Sequence, residues 1–190
     1  VKDLDVQVFD SQTACAGTAN MVKLAAAKAL ADYPMADILA QLTRLRAMTK
    51  TVLIVNSMRH LGKNGRIYNN SSLAGTMVLR NKPIITFNEH GKLQVLGKER
   101  TLKNAQQAVQ DDFDRFVITQ QLPVRLDVIS ANDPQIAEDW ASELRYQFPA
   151  VRVKTGEIGP LMGTLTGEHA LGLIWSLDWK PLLNTLNQAD

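Results

Sequence analysis

The stretch Thr51-Val52-Leu53-Ile54-Val55 is a continuous, mostly apolar run of strand length, and it is rich in β-branched residues. A run of this kind is typical of a strand that is buried on both faces, because a half-exposed strand would alternate apolar and polar residues. Helical patterns lie on both sides of it along the chain. The run therefore predicts an α/β fold, with a mixed sheet and flanking helices.

Two segments before this run have the pattern of helices. An Ala-rich segment from about Ala19 to Ala31 predicts the first helix. Apolar residues at three- and four-residue spacing predict the second helix, and they are Ile38, Leu39, Leu42, Leu45 and Met48. Nearer the amino terminus, Val6 to Phe9 alternate in polarity and predict a short strand that stops at Asp10-Ser11.

The chain beyond the central run contains several more predicted strands. Ile84 to Phe87 and Leu93 to Leu96 are separated by the turn residues Asn88 to Gly91, so they predict a hairpin. Later strands are predicted at Val124 to Ile129, Val151 to Val153 and Ala170 to Trp175.

Helices are predicted between these strands. One has an apolar face formed by Leu102, Ala105, Val109, Phe113 and Phe116. Another has Ile136, Trp140 and Leu144 on one face, and Asp133-Pro134 offers a capping residue followed by Pro at the first helical position. Between Asn56 and Lys82 we expect a short helix, a loop at Gly62 to Arg66, and a helix around Ser71 to Val78.

Composition excludes several classes of protein. The 190 residues are 45% hydrophobic and 21% charged, as in an ordinary folded protein. A net charge of +2, with dispersed basic residues, indicates no nucleic-acid partner. No segment approaches the ~20 apolar residues of a membrane-spanning helix, so no membrane insertion is expected. The single cysteine, Cys15, cannot form an internal disulfide, which favours a cytoplasmic location.

The spacing of the reactive residues matches no known motif for catalysis or metal binding. The loop Gly62 to Arg66 lacks the glycine spacing of a phosphate-binding loop. His60, His90 and His169 are too scattered for a local metal motif, and no Gly-x-Ser-x-Gly elbow presents a nucleophilic serine. We therefore expect no metal, no cofactor and no catalytic residues.

The segment from Gly156 to Gly172 is unusually rich in glycine. Glycine permits positive φ angles and close approach of the backbone to another group. The segment is therefore either backbone packed close to a ligand or a tight irregular crossover within a core, and the spacing alone does not choose between the two.

Five motifs in this order resemble the signature of the DegV family. They are Val8 to Thr13, Leu61 to Ile67, Asn81 to Ile85, Lys98 to Thr101, and Glu157 to Pro160 together with Thr164 to Gly167. Each motif alone is short, but together they cover nearly the whole chain, and their order makes the resemblance specific.

The resemblance implies a carrier that holds a long-chain fatty acid in a buried tunnel between two α/β domains and does no covalent chemistry. Some members present that fatty acid to a fatty acid kinase. The resemblance also implies that residues 1–50 end an amino-terminal α/β domain and that residues 51–190 form a DegV-like carboxy-terminal lipid-binding domain. The family's Thr and Ser motifs for the fatty-acid carboxylate are expected to precede Val8, outside this sequence.

Site residues follow from the resemblance position by position. Arg66 matches the arginine of the family's Gly-Gly-Arg-Ile motif, with Asn64 in place of the first glycine. Arg100 matches an arginine that is associated with kinase docking. Leu165 stands where the family usually has a histidine near the carboxylate, so the head-group site is expected to be weaker or different. The other expected lipid-binding residues are Ile67, Leu73, Met77, Ile84, Met162, Thr164, Thr166 and Gly167.

Two other functions remain open at the level of sequence. One is an enzyme that acts on a small phosphorylated or carboxylated metabolite, with Lys63, Arg66 and Arg100 as an anion clamp. The other is a module that only docks a kinase partner, with Arg100 on the docking face.

Overall fold

The structure is a computed structural model that describes residues 6–56 and 81–181. Within these ranges the chain forms an α/β fold with five helices and six strands. In chain order they are α1 (Ala16–Leu30), α2 (Met35–Ala47), β1 (Lys50–Ile54), β2 (Lys82–Phe87), β3 (Leu93–Glu99), α3 (Leu102–Val117), β4 (Val124–Ser130), α4 (Pro134–Gln147), β5 (Arg152–Glu157), α5 (Pro160–Thr166) and β6 (Leu171–Leu177).

The six strands form one mixed sheet in the order β3-β2-β1-β6-β4-β5. β4 and β5 are parallel and are connected through α4, whereas every other neighbouring pair is antiparallel. β6 lies between β1 and β4, so the strand nearest the carboxyl end of the described chain joins the two halves of the sheet. The predicted hairpin is confirmed as β2 and β3.

One face of the sheet, which we call the α3/α4 face, is covered by α3 and α4. Its strand residues include Val52, Ile54, Ile84, Leu126, Val128, Leu173 and Trp175. Phe113 of α3 reaches into this layer and lies 5.6 Å from Trp175 between ring centroids, in an edge-on arrangement. The apolar stripes predicted for α3 and α4 are thus confirmed at Val109, Phe113, Trp140 and Leu144, which are buried there. Ile136, which was expected on the α4 stripe, is instead 39% exposed, and Ala137 is buried in its place.

The opposite face, which we call the α5 face, carries the alternate strand residues. They include Leu53, Val55, Ile85, Ile129 and Ile174, and they are covered by α5 and by residues 14–16 at the start of α1. This alternation follows from the two-residue period of side chains along a strand.

Helices α1 and α2 pack against each other beyond the end of β6. Their shared cluster contains Met21, Leu24, Ile38, Leu42, Leu45 and Leu177. Asn20 of α1 also donates a buried hydrogen bond to the Asp127 carboxylate of β4, at 3.1 Å. These contacts tie residues before Lys50 to the sheet, and the domain boundary near Lys50 stays a prediction.

Val6 to Phe9 do not form the predicted strand. The segment is irregular, and Val6 and Val8 are 71% and 92% exposed. None of the described strands lies beside it to supply backbone partners. Only Phe9 is anchored, because it packs against the α1–α2 cluster and lies under the Arg46 guanidinium, 4.9 Å from the ring centroid.

Helix capping also differs from the prediction at Asp133. Asp133 occupies the capping position of α4, yet its side chain makes no capping hydrogen bond. Its carboxylate instead contacts His169 Nδ1 at 2.7 Å. Side-chain capping occurs at α3, where the Thr101 hydroxyl accepts from the Asn104 backbone N–H at 3.1 Å. The helices and loop predicted between residues 57 and 80 lie outside the described residues.

Candidate functional site

The glycine-rich segment forms a short helix on the α5 face. Pro160 opens α5, which presents Met162 and Leu165 inward, while Leu161 points outward and is 74% exposed. Met162 and Leu165 join a buried apolar cluster with Leu53, Val55, Ile85, Leu93, Ile129, Ala131, Ile158, Ala170 and Ile174. The segment is therefore neither an extended loop nor a simple crossover, because it lays an apolar helix across the sheet.

Glycine is required where α5 ends. Gly167 has φ 77° and ψ 174°, a backbone conformation that is essentially restricted to glycine. Its N–H donates to the Gly163 carbonyl at 2.8 Å, which closes the helix. The chain can then turn sharply into β6.

The two threonines of α5 bond to their own helix. The buried Thr166 hydroxyl donates to the Met162 carbonyl at 3.0 Å, and the exposed Thr164 hydroxyl donates to the Leu161 carbonyl at 2.8 Å. Leu165 lies between them and is 7% exposed within the apolar cluster. The surface of α5 that faces the sheet thus offers apolar contact and no charged group.

Residues 14–16 bring the start of α1 to the edge of this cluster. Ala14, Cys15 and Ala16 pack partly against it. Burial raises the pKa of the Cys15 thiol, although the nearby Gly159 backbone N–H opposes this by bonding to the sulfur. The surroundings of Cys15 are consequently apolar and poor at supporting a thiolate.

A polar pocket of about 360 Å³ lies next to the α5 face. It is bordered by Ser11, Gln12, Thr13, Thr43, Arg46, Ala47, Thr49, Lys50, Thr51, Phe87, Asn88 and Glu89. Phe87 belongs to both the pocket and the edge of the apolar cluster. The pocket and the cluster are therefore adjoining parts of one surface.

Hydroxyl groups and one arginine dominate the chemistry of this pocket. The hydroxyls of Thr13 and Thr51 lie 2.8 Å apart at its wall, and the pocket is also bordered by one carboxylate, that of Glu89. Arg46 donates to the Asp10 carbonyl at 2.8 Å, which leaves other guanidinium donors. This is a set of hydrogen-bond donors suited to an anionic oxygen.

Sequence patterns did not predict this pocket. The motif Val8 to Thr13 carries no predicted function of its own, and Arg46 lies off the apolar stripe of α2 in the sequence pattern. Nothing in the local pattern shows that Arg46 and Thr51 converge on Thr13, because α2 and β1 meet that loop only in the folded chain. The one signal was the motif Val8 to Thr13 itself.

The remaining sequence-predicted site residues are dispersed. Ile84 is buried on the α3/α4 face, on the other side of the sheet from Met162 and Leu165. Arg100 is exposed between β3 and α3. Arg66, Ile67, Leu73 and Met77 lie outside the described residues, as does Lys63.

Over residues 6–56 and 81–181, no three His, Cys, Asp or Glu side chains gather closely enough to hold a metal ion. In the same part of the chain, no helix has both the length and the apolar content that crossing a bilayer requires.

Comparison with known families and curated proteins gives a consistent result. A family model described as an uncharacterised protein of the DegV family matches residues 1–178. A DegV domain-containing protein of Listeria innocua is 31% identical over 177 residues, which are 93% of this chain and 62% of that protein. The chain thus spans about 62% of the length of the first curated relatives that it matches.

Solved structures agree with the family match. DegV from Bacillus subtilis, described as a fatty acid binding protein, has a TM-score of 0.76 and 29% identity, over 91% of this chain and 61% of that one. A fatty acid binding DegV family protein from Streptococcus agalactiae has a TM-score of 0.81 and 23% identity, over 93% and 61% of the two chains. The second likeness supports the fold alone.

Proposed function

This chain belongs to the DegV family, and from that premise we propose that the protein is a carrier that binds a long-chain fatty acid and presents it to a fatty acid kinase. The acyl chain lies against the α5 face, and the protein does no covalent chemistry of its own. A carrier with this role works in the cytoplasm, which is part of the same proposal.

The observation that carries the proposal is an apolar cluster beside a donor-lined pocket. Met162 and Leu165 bury aliphatic surface on the α5 face, and Thr13, Thr51 and Arg46 line the adjoining pocket. A fatty acid needs both kinds of surface. Each methylene removed from water contributes roughly 0.8 kcal/mol, whereas a buried carboxylate requires hydrogen-bonding partners.

Leu165 changes the chemistry of the proposed head-group site. It has no polar atom with which to bind a carboxylate, although the DegV resemblance places a histidine there. We assign part of that role to Arg46, whose guanidinium can pair with a carboxylate. DegV from Bacillus subtilis is 29% identical to this chain and is described as a fatty acid binding protein, which supports the ligand class.

Mass spectrometry of organic extracts tests the carrier proposal. The complete protein, purified from its host, is expected to carry a long-chain fatty acid. Arg46→Met is expected to lower the retained amount several-fold, because the carboxylate loses a cationic partner. Arg44→Met changes an exposed arginine of the same helix and is the matched control.

Thermal unfolding of both arginine variants separates binding from stability, since Arg46 also lies over Phe9. Absence of lipid from the complete protein, together with no binding of added palmitate, would end the carrier proposal. If Arg46→Met and Arg44→Met retained equal amounts of fatty acid, Arg46 would not be part of the head-group site, and the carrier proposal itself would stand.

The kinase partner is tested at Arg100, which is exposed between β3 and α3. We expect Arg100→Ala to weaken the affinity of the lipid-loaded complete protein for the host's fatty acid kinase by about ten-fold, as a docking arginine would. Lys103→Ala is the control, because Lys103 is an exposed cation one turn away. Affinities that match in the two variants would contradict docking at Arg100.

A further inference from the structure

A second pocket of about 270 Å³ lies away from the fatty-acid site, on the α3/α4 side of the sheet. It is bordered by Asn56, Lys82, Leu102, Asp133, Ile136, His169 and Leu171. None of these residues belongs to the α5-face cluster or to the pocket of Arg46. The pocket is small, and its four polar side chains, those of Asn56, Lys82, Asp133 and His169, come from four separate parts of the chain.

Hydrogen bonds fix the polar groups of this pocket relative to one another. Lys82 Nζ donates to the Asn56 side-chain carbonyl, and the Asn56 amide donates to the Glu168 carbonyl at 3.3 Å. The next residue, His169, donates its backbone N–H to the Ala131 carbonyl at 2.9 Å. The lysine and the histidine are thus held at the same pocket by a continuous chain of bonds.

His169 is oriented by a carboxylate. Its Nδ1 lies 2.7 Å from Asp133 Oδ2, so the ring nitrogen left for a ligand is Nε2. The side chain is 57% exposed, whereas Asp133 is 23% exposed. His169 also has φ 61°, an unfavourable backbone angle for a residue with a side chain, and the Asp133 contact is made from that conformation.

Lys82 contributes a cation that is not neutralised by a described carboxylate. Its partner among the described residues is the neutral Asn56 amide, and Glu99 opposes it across the β2–β3 ladder without an ion pair. A solvent-accessible ammonium whose described partner is a neutral amide remains able to bind an anion.

Two helices begin at the same pocket. Leu102 is the first residue of α3, and Ile136 lies in the first turn of α4. Neither first turn contains an acidic residue, and the one carboxylate at these ends, Asp133 at the capping position of α4, is paired with His169. Helix N-termini carry partial positive charge and unpaired N–H groups, and they therefore favour anions.

We propose that this pocket binds a phosphate group, as free phosphate or as a small phosphomonoester. Lys82 Nζ donates to one phosphate oxygen, and His169, bound as the imidazolium, donates Nδ1–H to Asp133 and Nε2–H to another phosphate oxygen. The two helix ends add positive potential, and Asp133 holds the imidazole in place. A phosphate suits four converging groups better than a carboxylate does, because it has more oxygens and a charge of about −1.5 to −2 at neutral pH.

Calorimetric titration of the complete protein with inorganic phosphate tests the proposal at neutral pH and low salt. We expect a Kd of about 1 mM or tighter for inorganic phosphate. A second titration uses methyl phosphate, and binding there would show that the pocket also admits a phosphomonoester. Methyl phosphate that fails to bind while inorganic phosphate binds would identify free phosphate as the ligand. Acetate is expected to bind at least about ten-fold more weakly.

Variants then locate the binding site. Lys82→Met and His169→Asn are each expected to weaken phosphate binding by about ten-fold, and Asn is chosen because it tolerates positive φ. Lys154→Met and His90→Asn change an exposed lysine of β5 and an exposed histidine of the β2–β3 turn, both away from the pocket, and we expect less than about a two-fold effect.

Four results would overturn the proposal. They are no phosphate binding, acetate binding as tight as phosphate binding, phosphate affinity unchanged in Lys82→Met, and phosphate affinity unchanged in a folded His169→Asn protein. Lys82→Met alters the end of a partly exposed side chain and keeps the test valid if His169→Asn does not fold.

Discussion

The two faces of the sheet are built from alternate residues of the same strands, yet they are covered very differently. The α3/α4 face lies under helices of 16 and 14 residues, and its layer includes Phe113, Trp140 and Trp175. The α5 face lies under a helix of seven residues and the start of α1, and its side chains are almost all aliphatic. Aromatic rings pack between the sheet and the helices on the α3/α4 face. On the α5 face, a single short helix covers aliphatic side chains.

The difference separates two tasks that a single sheet performs. Aromatic rings that interlock with long helices bury much surface and hold the fold together. Aliphatic residues under a short helix have fewer contacts that must be broken, and in the proposed function this is the face against which the acyl chain lies. We therefore expect substitutions on the α3/α4 face to change stability, and substitutions on the α5 face to change stability less.

The largest effect is expected from Phe113→Ala, which removes a fully buried ring from the α3/α4 face. It should lower the free energy of unfolding by about 4 kcal/mol, as removal of a core aromatic usually does. Urea denaturation of the complete protein measures the loss. Ile118→Ala, at a residue that is 74% exposed, is the control and should change stability by less than about 0.5 kcal/mol. A loss below that of Leu165→Ala would reverse the comparison of the two faces.

A smaller effect is expected from Leu165→Ala on the α5 face. The side chain is 7% exposed, but α5 is short and can settle onto the sheet, so we expect a loss of about 2 kcal/mol. Leu161→Ala, on the outer side of the same helix, is the matched control and should be close to neutral. The same denaturation experiment gives both values, and equal losses at positions 161 and 165 would mean that α5 does not pack as described.

The smallest effect concerns the reactivity of Cys15 at the edge of the α5 face. Because burial raises the pKa of its thiol, a smaller fraction is thiolate near pH 8, and alkylation by iodoacetamide should be several-fold slower than at an exposed cysteine. The control is Ser142→Cys in a Cys15→Ser background, since Ser142 is exposed on α4. The difference should narrow as pH rises through the Cys15 pKa. Equal rates at pH 8 would show that the α5 face is open to solvent at Cys15.

Much of the fold could be predicted from sequence because apolar residues recur regularly along its strands and helices. The apolar runs at β1, β4 and β6 and the stripes of α3 and α4 are confirmed to within a few residues. Val6 to Phe9 were wrongly predicted as a strand, since alternation describes a strand only where a neighbour supplies hydrogen bonds. The helix α5 was missed, because glycine and proline obscure a helical period over seven residues.

The site could be predicted only in part. Leu165 lies in a family motif and Met162 lies between two motif segments, and both are buried as neighbours on the α5 face, while their role as lipid-binding residues stays a prediction. Ile84 was grouped with them, but the face on which it lies depends on strand order and register, which local sequence does not encode. Likewise, Asp133 reads as a capping residue until His169 is seen beside it, since the two are brought together only by the pairing of β4 with β6.

β6 joins two half-sheets whose strands are synthesised earlier. The group β3-β2-β1 and the pair β4-β5 share no strand pairing until Leu171–Leu177 is placed between β1 and β4. During translation, the nascent chain therefore exposes the open edges of β1 and β4 until β6 has left the ribosome. Open edges of this kind recruit other strands, so the interval before β6 emerges is when the chain is most exposed to misassembly and most in need of a chaperone.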